Sequence, residues 1–482
     1  MIEIRNFIEN EFHDASSGDW LDVIEPATGK GFARLALSGP ADVGRAVESA
    51  QAAFPAWSLL SPDERAAHLY ALAGLVEDQA EALAEAESRD TGKPVSLARN
   101  VDIPRAISNL RFFAAATTQF ASESHAMADH AINYTLRQPL GVVACISPWN
   151  LPLYLLTWKI APALACGNTV VAKPSELTPL TASLLCELCI QAGLPQGVLN
   201  IIHGEGKSAG DALVRHPKVK AVSFTGSTVT GKAIAAATAD QFKKLSLEMG
   251  GKNPTLVFAD CDFEKAVTGV MQSAFSNQGQ ICLCGSRILV ESSIYDRFRN
   301  ALVARCEELR SGDPALPETR HGALVSQAHY QKVTAYLDLA RDEGGRILCG
   351  GPTRLSGRCA NGWFIDPVLI EGLDQDCRTN QEEIFGPVAT IQPFESEAEA
   401  LTLANATDYG LACSVWSQDL SRCHRMAARL ECGIIWVNCW MQRDLRTPFG
   451  GMKSSGLGRE GGLEAMHFFT EPRNVCIEFG HG

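Results

Sequence analysis

Two runs of this chain carry residue types that together do covalent chemistry on a carbonyl group: Leu247-Glu248-Met249-Gly250-Gly251-Lys252 and, further on, Gly279-Gln280-Ile281-Cys282. A cysteine sulfur adds readily to carbonyl carbon, and a glutamate beside it can take up a proton and activate water. The Gly250-Gly251 and Gly279-Gln280 steps let backbone approach a reacting centre closely. With 16 cysteines and 55 acidic residues in the chain, most Cys and Glu are structural or solvated, and only context separates Glu248 and Cys282 from the rest. Asn150, at the end of Ser147-Pro148-Trp149-Asn150, adds an amide that can donate to an oxyanion formed at Cys282, with the Cys282 backbone N–H as second donor. One such donor is worth about two to three orders of magnitude in rate.

These residues need elements to hold them. Short apolar, β-rich runs at 142–146, 169–172, 198–202 and 219–224 are separated by helical stretches at 153–165, 181–192 and 207–215, with 231–242 following the last strand. This is the pattern of a parallel α/β sheet, which binds ligands beyond the carboxyl ends of its strands. A second α/β region runs from near Gly250 to about Gly450, with strands predicted at 255–258, 288–290, 388–391 and 434–437. The first third is helical after an irregular entry. Ser61-Pro62-Asp63-Glu64 has the residues of a capping box, and 66–87 is predicted as one long helix whose apolar stripe means packing. The chain restarts around Pro104 as a helix over 105–113, and 120–137 is predicted as a polar two-stranded excursion.

Two strand-end loops have the chemistry of a cofactor site. Lys173-Pro174-Ser175-Glu176 offers a carboxylate for ribose hydroxyls, and Phe224-Thr225-Gly226-Ser227-Thr228 offers small residues and free amides at a helix start, where a phosphate is held. Gly204-Glu205-Gly206-Lys207-Ser208 is not a Walker loop, because Ile201 stands where that pattern needs glycine. It reads as a helix-start turn.

A chain of 482 residues, 46% hydrophobic, can bury large cores and divides into two or three domains. Its 42 basic against 55 acidic residues give a net charge of −13, which disfavours nucleic acid and anionic membrane. No basic segment followed by an apolar run opens the chain, and no apolar stretch is long enough to span a bilayer. A soluble, cytoplasmic protein is expected. The cysteines sit in apolar segments such as Val143-Ala144-Cys145-Ile146, so free thiols in a reducing compartment are expected. Cys282-Leu283-Cys284 lacks the spacing of a zinc or redox pair, and no metal site is assigned.

Over essentially its whole length the chain resembles the aldehyde dehydrogenase superfamily. The residues that carry the resemblance appear in order: Pro148-Trp149-Asn150, Lys173-Pro174-Ser175-Glu176, Phe224-Thr225-Gly226-Ser227, Leu247-Glu248-Met249-Gly250-Gly251-Lys252, Gly279-Gln280-Ile281-Cys282, Glu383-Ile384-Phe385-Gly386-Pro387 and Pro448-Phe449-Gly450-Gly451. Met249 is a mild departure, since leucine is commoner there. The resemblance implies Cys282 as nucleophile, Glu248 as general base and Asn150 as oxyanion donor, acting through a thiohemiacetal and a thioester. It implies NAD as cofactor, with Lys173 and Glu176 at the adenosine ribose, Ser227 at the pyrophosphate, and Glu383 with Phe385 at the nicotinamide half. Ile146, Ser147, Pro148, Trp149, Ser175, Gly206, Phe224, Gly226 and Gly250 complete that expected site. Glu176 favours NAD over NADP, because its carboxylate repels a 2′-phosphate. The implied architecture is a Rossmann-like NAD-binding domain (1–116 and 139–249), a second α/β catalytic domain (250–450) and a small β oligomerisation arm with the C-terminal tail (117–138 and 451–482), assembled as a homodimer or homotetramer.

For the substrate, Tyr154, Trp158, Ile281 and Leu283 are expected to line an apolar tunnel, with Arg105 and Arg443 near its mouth. Guanidinium groups suit bidentate recognition of a carboxylate. This combination resembles the subgroup acting on 2-aminomuconic and 2-hydroxymuconic semialdehydes, small aldehydes that carry a carboxylate at the far end. Amino versus hydroxy substrate stays open, with the 153–159 and Cys282-Leu283-Cys284 runs leaning towards amino, and Arg446 is left as a surface candidate. A broad-range or betaine-type enzyme is the closer rival, although arginines at the entrance disfavour a cationic substrate. A non-catalytic structural protein on the same fold is the remote one, disfavoured by the joint presence of Cys282, Glu248 and Asn150.

Overall fold

The computed structural model describes residues 1–480. The four predicted strands of the first region lie side by side in one eight-stranded sheet. Its spatial order is Gly456–Leu457, Lys244–Glu248, Val219–Thr225, Val142–Ile146, Thr169–Lys173, Leu199–Ile201, Asn6–Ile8 and Glu11–His13. The five central strands are mutually parallel, and the outer pairings are antiparallel. Val142–Ile146 and Thr169–Lys173 are almost wholly buried, as a sheet covered by helices on both faces requires. The helix Pro152–Ala165 is buried at every position, so it serves as core between the sheet and the helices of the first third.

A seven-stranded sheet forms the second region, in the order Arg346–Thr353, Phe364–Glu371, Val388–Phe394, Arg287–Glu291, Pro254–Val257, Ala412–Trp416 and Ile434–Val437. A third, three-stranded sheet runs Thr470–Glu478, Ala131–Pro139, Ser124–Met127. It joins the predicted two-stranded excursion to the C-terminal strand in register from Thr470↔Pro139 to Glu478↔Ala131. Residues 481 and 482, at the end of the expected arm, lie outside the described residues.

Several expectations are corrected. The single helix predicted over 66–87 is two, Pro62–Asp78 and Ala80–Thr91, broken at Gln79. The break turns Leu83 and Ala84 into the core, and the second helix ends on left-handed Gly92. The chain does not restart at Pro104. A widened turn, Ala98–Asp102, runs straight into the helix Ile103–Thr118, so Pro104, which has no N–H, falls just past the point where the ladder of backbone bonds changes spacing. The irregular entry holds a small sheet of Ile2–Ile4, Lys30–Ala36 and Trp20–Glu25. Lys244–Glu248, Arg346–Thr353, Phe364–Glu371 and Ala412–Trp416 are strands that were not predicted. Among the described residues, every cysteine is a free thiol and no helix is long and apolar enough to cross a membrane.

Candidate active site

Cys282 sits on an irregular loop entered through a backbone few sequences adopt. After the helix Phe263–Phe275, Asn277, Gln278 and Gly279 have φ of 50°, 56° and 68°, three successive left-handed residues. Side chains hold this turn: Gln278 accepts from Gly322 N–H at 3.1 Å and donates to Ala323 O at 3.2 Å, and Gln280 accepts from Val325 N–H at 3.1 Å. A Cβ on Gly279 would lie 2.0 Å from Gly386 O, so the glycine is required both by its φ and by a close backbone approach. Past the turn, Asn253 Nδ2 donates to Cys282 O at 2.7 Å and to Cys284 O at 2.9 Å.

Asn150 reaches this loop from the end of the strand Val142–Ile146. Its Nδ2 donates to Gln280 O at 2.8 Å, which uses one amide proton and leaves the other for the cavity it lines with Cys282. No hydrogen bond from the Cys282 backbone N–H is found among the described residues, so it and the second Asn150 amide proton are both unused at the cavity that the two residues line.

Glu248 ends the strand Lys244–Glu248, opposite Thr225 on one side and Gly456 on the other. The residue is 3% exposed and neither carboxylate oxygen has a hydrogen-bond partner. A Cβ on Gly450 would come within 2.7 Å of Glu248 Oε1. Burial pushes the Glu248 carboxyl well above the usual range, and the Glu460 carboxylate adds to the rise, against Lys159, Arg459 and Arg443. Glu460 is itself tied to Lys159 Nζ at 2.7 Å and to the Ser223 hydroxyl at 3.1 Å. Burial also pushes the Cys282 thiol up, with the Glu383 and Glu248 carboxylates adding to it, while Arg443 favours the thiolate.

Two adjoining cavities run along the carboxyl ends of the parallel strands. The outer, about 570 Å³, is lined by Ile146, Ser147, Pro148, Trp149, Lys173, Ser175, Glu176, Gly206, Phe224, Gly226 and Ser227 among others. The inner, about 230 Å³, is lined by Asn150, Gly250, Cys282, Glu383 and Phe385 and shares Pro148, Trp149, Thr225, Gly226 and Ser227 with the outer one. Every cofactor residue expected from the sequence lines one of the two. Lys173 Nζ meets Glu176 Oε2 at 3.2 Å. Ser227 caps the helix Thr228–Thr238, whose N–H groups and dipole favour a phosphate. Glu383 Oε1 accepts from Gly251 N–H at 2.9 Å, and a Cβ on Gly250 would overlap Glu383 at 2.1 Å. Phe385 stands edge-on to Trp149 at 5.2 Å. The joined cavities, with a capped helix start and the carboxylates of Glu176 and Glu383 along them, have the residue types that a dinucleotide site needs.

Sequence reading missed Thr225, Met249, His329 and Lys332, which also line the inner cavity. His329 Nε2 lies 2.7 Å from Phe385 O, and burial lowers its pKa to about 4, so it is neutral near pH 7. The available signal was a His and a Lys one turn apart at the start of the helix Gln327–Asp342, after the cap Ser326.

At the expected substrate side, Tyr154, Trp158, Ile281 and Leu283 are 2–7% exposed and belong to one apolar cluster, with partly buried Cys282, Trp440 and Leu445 packed against it. They form a packed wall more than an open lining. Arg443 Nη1 donates to the Tyr154 hydroxyl at 2.6 Å and its guanidinium lies 4.1 Å from the Phe449 ring centre and 5.2 Å from that of Trp158. Arg105 lies 5.8 Å from the Tyr154 ring centre. Arg446, the surface candidate, pairs with Asp444.

The family pattern described as the aldehyde dehydrogenase family matches residues 12–475. The chain belongs to that family. Among curated aldehyde dehydrogenases it is 48% identical over 480 residues to 2-aminomuconic semialdehyde dehydrogenase of Danio rerio, covering 98% of each chain. It is 47% identical over 485 residues to 2-hydroxymuconic semialdehyde dehydrogenase of Pseudomonas sp. (strain CF600), covering 99% of this chain and 100% of the other. Among solved structures, indole-3-acetaldehyde dehydrogenase in complex with NAD+ superposes with a TM-score of 0.97 at 40% identity, covering 99% of this chain and 97% of that one.

Proposed function

We propose that this aldehyde dehydrogenase oxidises 2-aminomuconic or 2-hydroxymuconic 6-semialdehyde to the dicarboxylate, with NAD as cofactor, in the breakdown of tryptophan-derived or other aromatic compounds. One observation carries the substrate assignment. Arg105 and Arg443 are half-buried, both contact Tyr154, and neither has a carboxylate partner among the described residues, whereas neighbouring Arg446 has one. A half-buried guanidinium without an anion is costly unless a ligand supplies one. A carboxylate at the end of the substrate opposite the aldehyde would do so. The names of the relatives above agree with this reading.

When bound, NAD would supply the hydride acceptor; Lys173 and Glu176 would hold its adenosine ribose, the helix start at Ser227 its pyrophosphate, and Glu383 with Phe385 its nicotinamide half. The protein's own part begins at Cys282, which loses its proton to solvent water and as the thiolate forms a bond to the aldehyde carbon, the carbonyl electron pair moving onto oxygen. The oxygen becomes an oxyanion between the Asn150 amide and the Cys282 N–H, donors fixed before the reaction begins. Once that carbon has lost its hydride, a thioester remains. Glu248 then takes a proton from water, the hydroxyl adds to the thioester carbon, the sulfur leaves, and the carboxylate product is freed.

A homodimer or homotetramer in the cytoplasm belongs to the same reading. Its support is the strand Ser124–Met127, exposed at all four residues at the edge of a small sheet, an edge that a second subunit would cover.

The test is NADH formation from 2-hydroxymuconic semialdehyde, 2-aminomuconic semialdehyde and a carboxylate-free aldehyde of similar length, with wild type and with Arg105→Ala/Arg443→Ala. Preference for the semialdehydes that collapses in the variant upholds the proposal. Equal rates on all three, unchanged by the variant, would sink it.

A further inference from the structure

Lys93 is fully buried and outside the reaction sequence above, yet its ammonium reaches the backbone of Asn150. It follows left-handed Gly92, is 0% exposed, and forms ion pairs with the Asp102 carboxylate and, at 3.6 Å, with Glu87. Its third contact is a hydrogen bond of 2.9 Å to Asn150 O. Two carboxylates already outweigh one ammonium, so charge balance does not call for this bond.

The Asn150 backbone needs such a bond. Residues 149–151 form a bend outside helix and strand, so no ladder fixes that carbonyl. Lys93 Nζ and, at 3.1 Å, Asn277 Nδ2 hold it together. Asn277 is the first residue of the left-handed turn that leads to Cys282, and it also donates to Gln280 O at 3.3 Å, the carbonyl that receives Asn150 Nδ2. The carboxylates anchor the ammonium to the surrounding helices. Glu87 Oε2 accepts from Thr181 Oγ1 at 3.0 Å and Leu153 N–H at 3.5 Å, at the start of the helix after Asn150. Asp102 closes the widened turn that begins the Arg105 helix.

We infer that Lys93 is a positioning residue for the dehydrogenase reaction: by fixing the Asn150 carbonyl it holds the Asn150 side-chain amide beside Cys282, where the oxyanion forms. The inference rests on the reading of Asn150 as oxyanion donor. Glu87 and Asp102 each retain a buried oxygen without a hydrogen-bond partner, that of Glu87 being the one paired with Lys93 at 3.6 Å, and burial raises both carboxyls.

Lys93→Met alone strands two buried carboxylates and can fail to fold. The decisive variant is therefore Glu87→Gln/Lys93→Met/Asp102→Asn, which replaces the ionic cluster by neutral groups of similar shape, a change that buried ion clusters commonly tolerate. The measurements are kcat and aldehyde KM, NADH affinity by fluorescence titration, and Tm, each in the wild-type and Asn150→Ala backgrounds. The expected result is a fall in kcat of about ten- to a hundred-fold, the scale of a misplaced catalytic group, with NADH affinity unchanged. In the Asn150→Ala background the triple change should cost nothing further, because residues that act through one another are not additive. A folded triple variant with wild-type kcat overturns the inference, as does a full additional loss on top of Asn150→Ala. Wild-type kcat in Asn150→Ala itself would instead remove the oxyanion reading on which the inference stands.

Discussion

Arg443 donates to the Tyr154 hydroxyl at 2.6 Å while Arg105 lies over the same ring at 5.8 Å, so two guanidinium groups from distant parts of the chain meet at one phenol. A hydrogen bond to a charged group is worth about 1.5–3 kcal/mol, so Tyr154→Phe should lower kcat/KM for muconic semialdehydes about tenfold or more. A carboxylate-free aldehyde should be unaffected. Steady-state NADH formation with both substrates checks this, and parallel losses would count against the clamp.

The pH dependence follows from two raised groups. In the proposed reaction Cys282 and Glu248 act in their deprotonated forms, and burial together with neighbouring carboxylates raises both. A raised acid pKa delays ionisation, so kcat/KM should climb with pH through neutrality and beyond. Glu248→Gln should lose about 10²–10⁴-fold in turnover, as removal of a general base does. The same change removes one of the anions that raise the thiol, so Cys282 should react faster with iodoacetamide at alkaline pH. Slower alkylation in the variant would contradict the charge assignment.

Glu176 lines the outer cavity beside Lys173. If its carboxylate opposes a 2′-phosphate, Glu176→Gln removes a like-charge contact of about 1–4 kcal/mol. The ratio of kcat/KM for NADP over NAD should then rise about tenfold or more. An unchanged ratio would place cofactor choice elsewhere.

Two left-handed glycines separate backbone strain from crowding. Gly279 has φ 68° and a Cβ there would lie 2.0 Å from Gly386 O, whereas Gly357 has φ 64° and nothing within 4 Å. Gly357→Ala should cost only about 1–2 kcal/mol for the left-handed backbone, with activity intact. Gly279→Ala should lower Tm further and abolish turnover, because it displaces the turn that presents Cys282. Equal melting shifts would argue against the close approach.

Much of the site was legible because its residues answer to local rules. Ser61 and Ser227 cap the helices they introduce, and the apolar runs at 142–146 and 219–224 are buried parallel strands. Glu176, Gly226 and Ser227 stand at strand ends or a helix start, where an α/β sheet binds ligands. The strand Lys244–Glu248 was missed because its polar residues, Lys244, Ser246 and Glu248, alternate with only two leucines and give no apolar run. Its burial comes from pairing with Val219–Thr225 and Gly456–Leu457, which no local window contains.

The sequence by itself determined the chemistry available: a thiol and a carboxylate in glycine-rich contexts, a strand-end amide, a second strand-end carboxylate and a capped helix start. Those depend on residue type, backbone freedom and short-range periodicity. Only the tertiary structure decided which groups meet. Lys93 gave no local signal, yet it carries the Asn150 carbonyl. Arg105 and Arg443 meet on Tyr154, while Arg446 turns to Asp444. Such contacts are set by how the two sheets and the first-third helices pack, and burial is what lifts Glu248 and Cys282 from their ordinary ionisation. Desolvation and long-range pairing are properties of the assembled core, so no segment read alone reveals them.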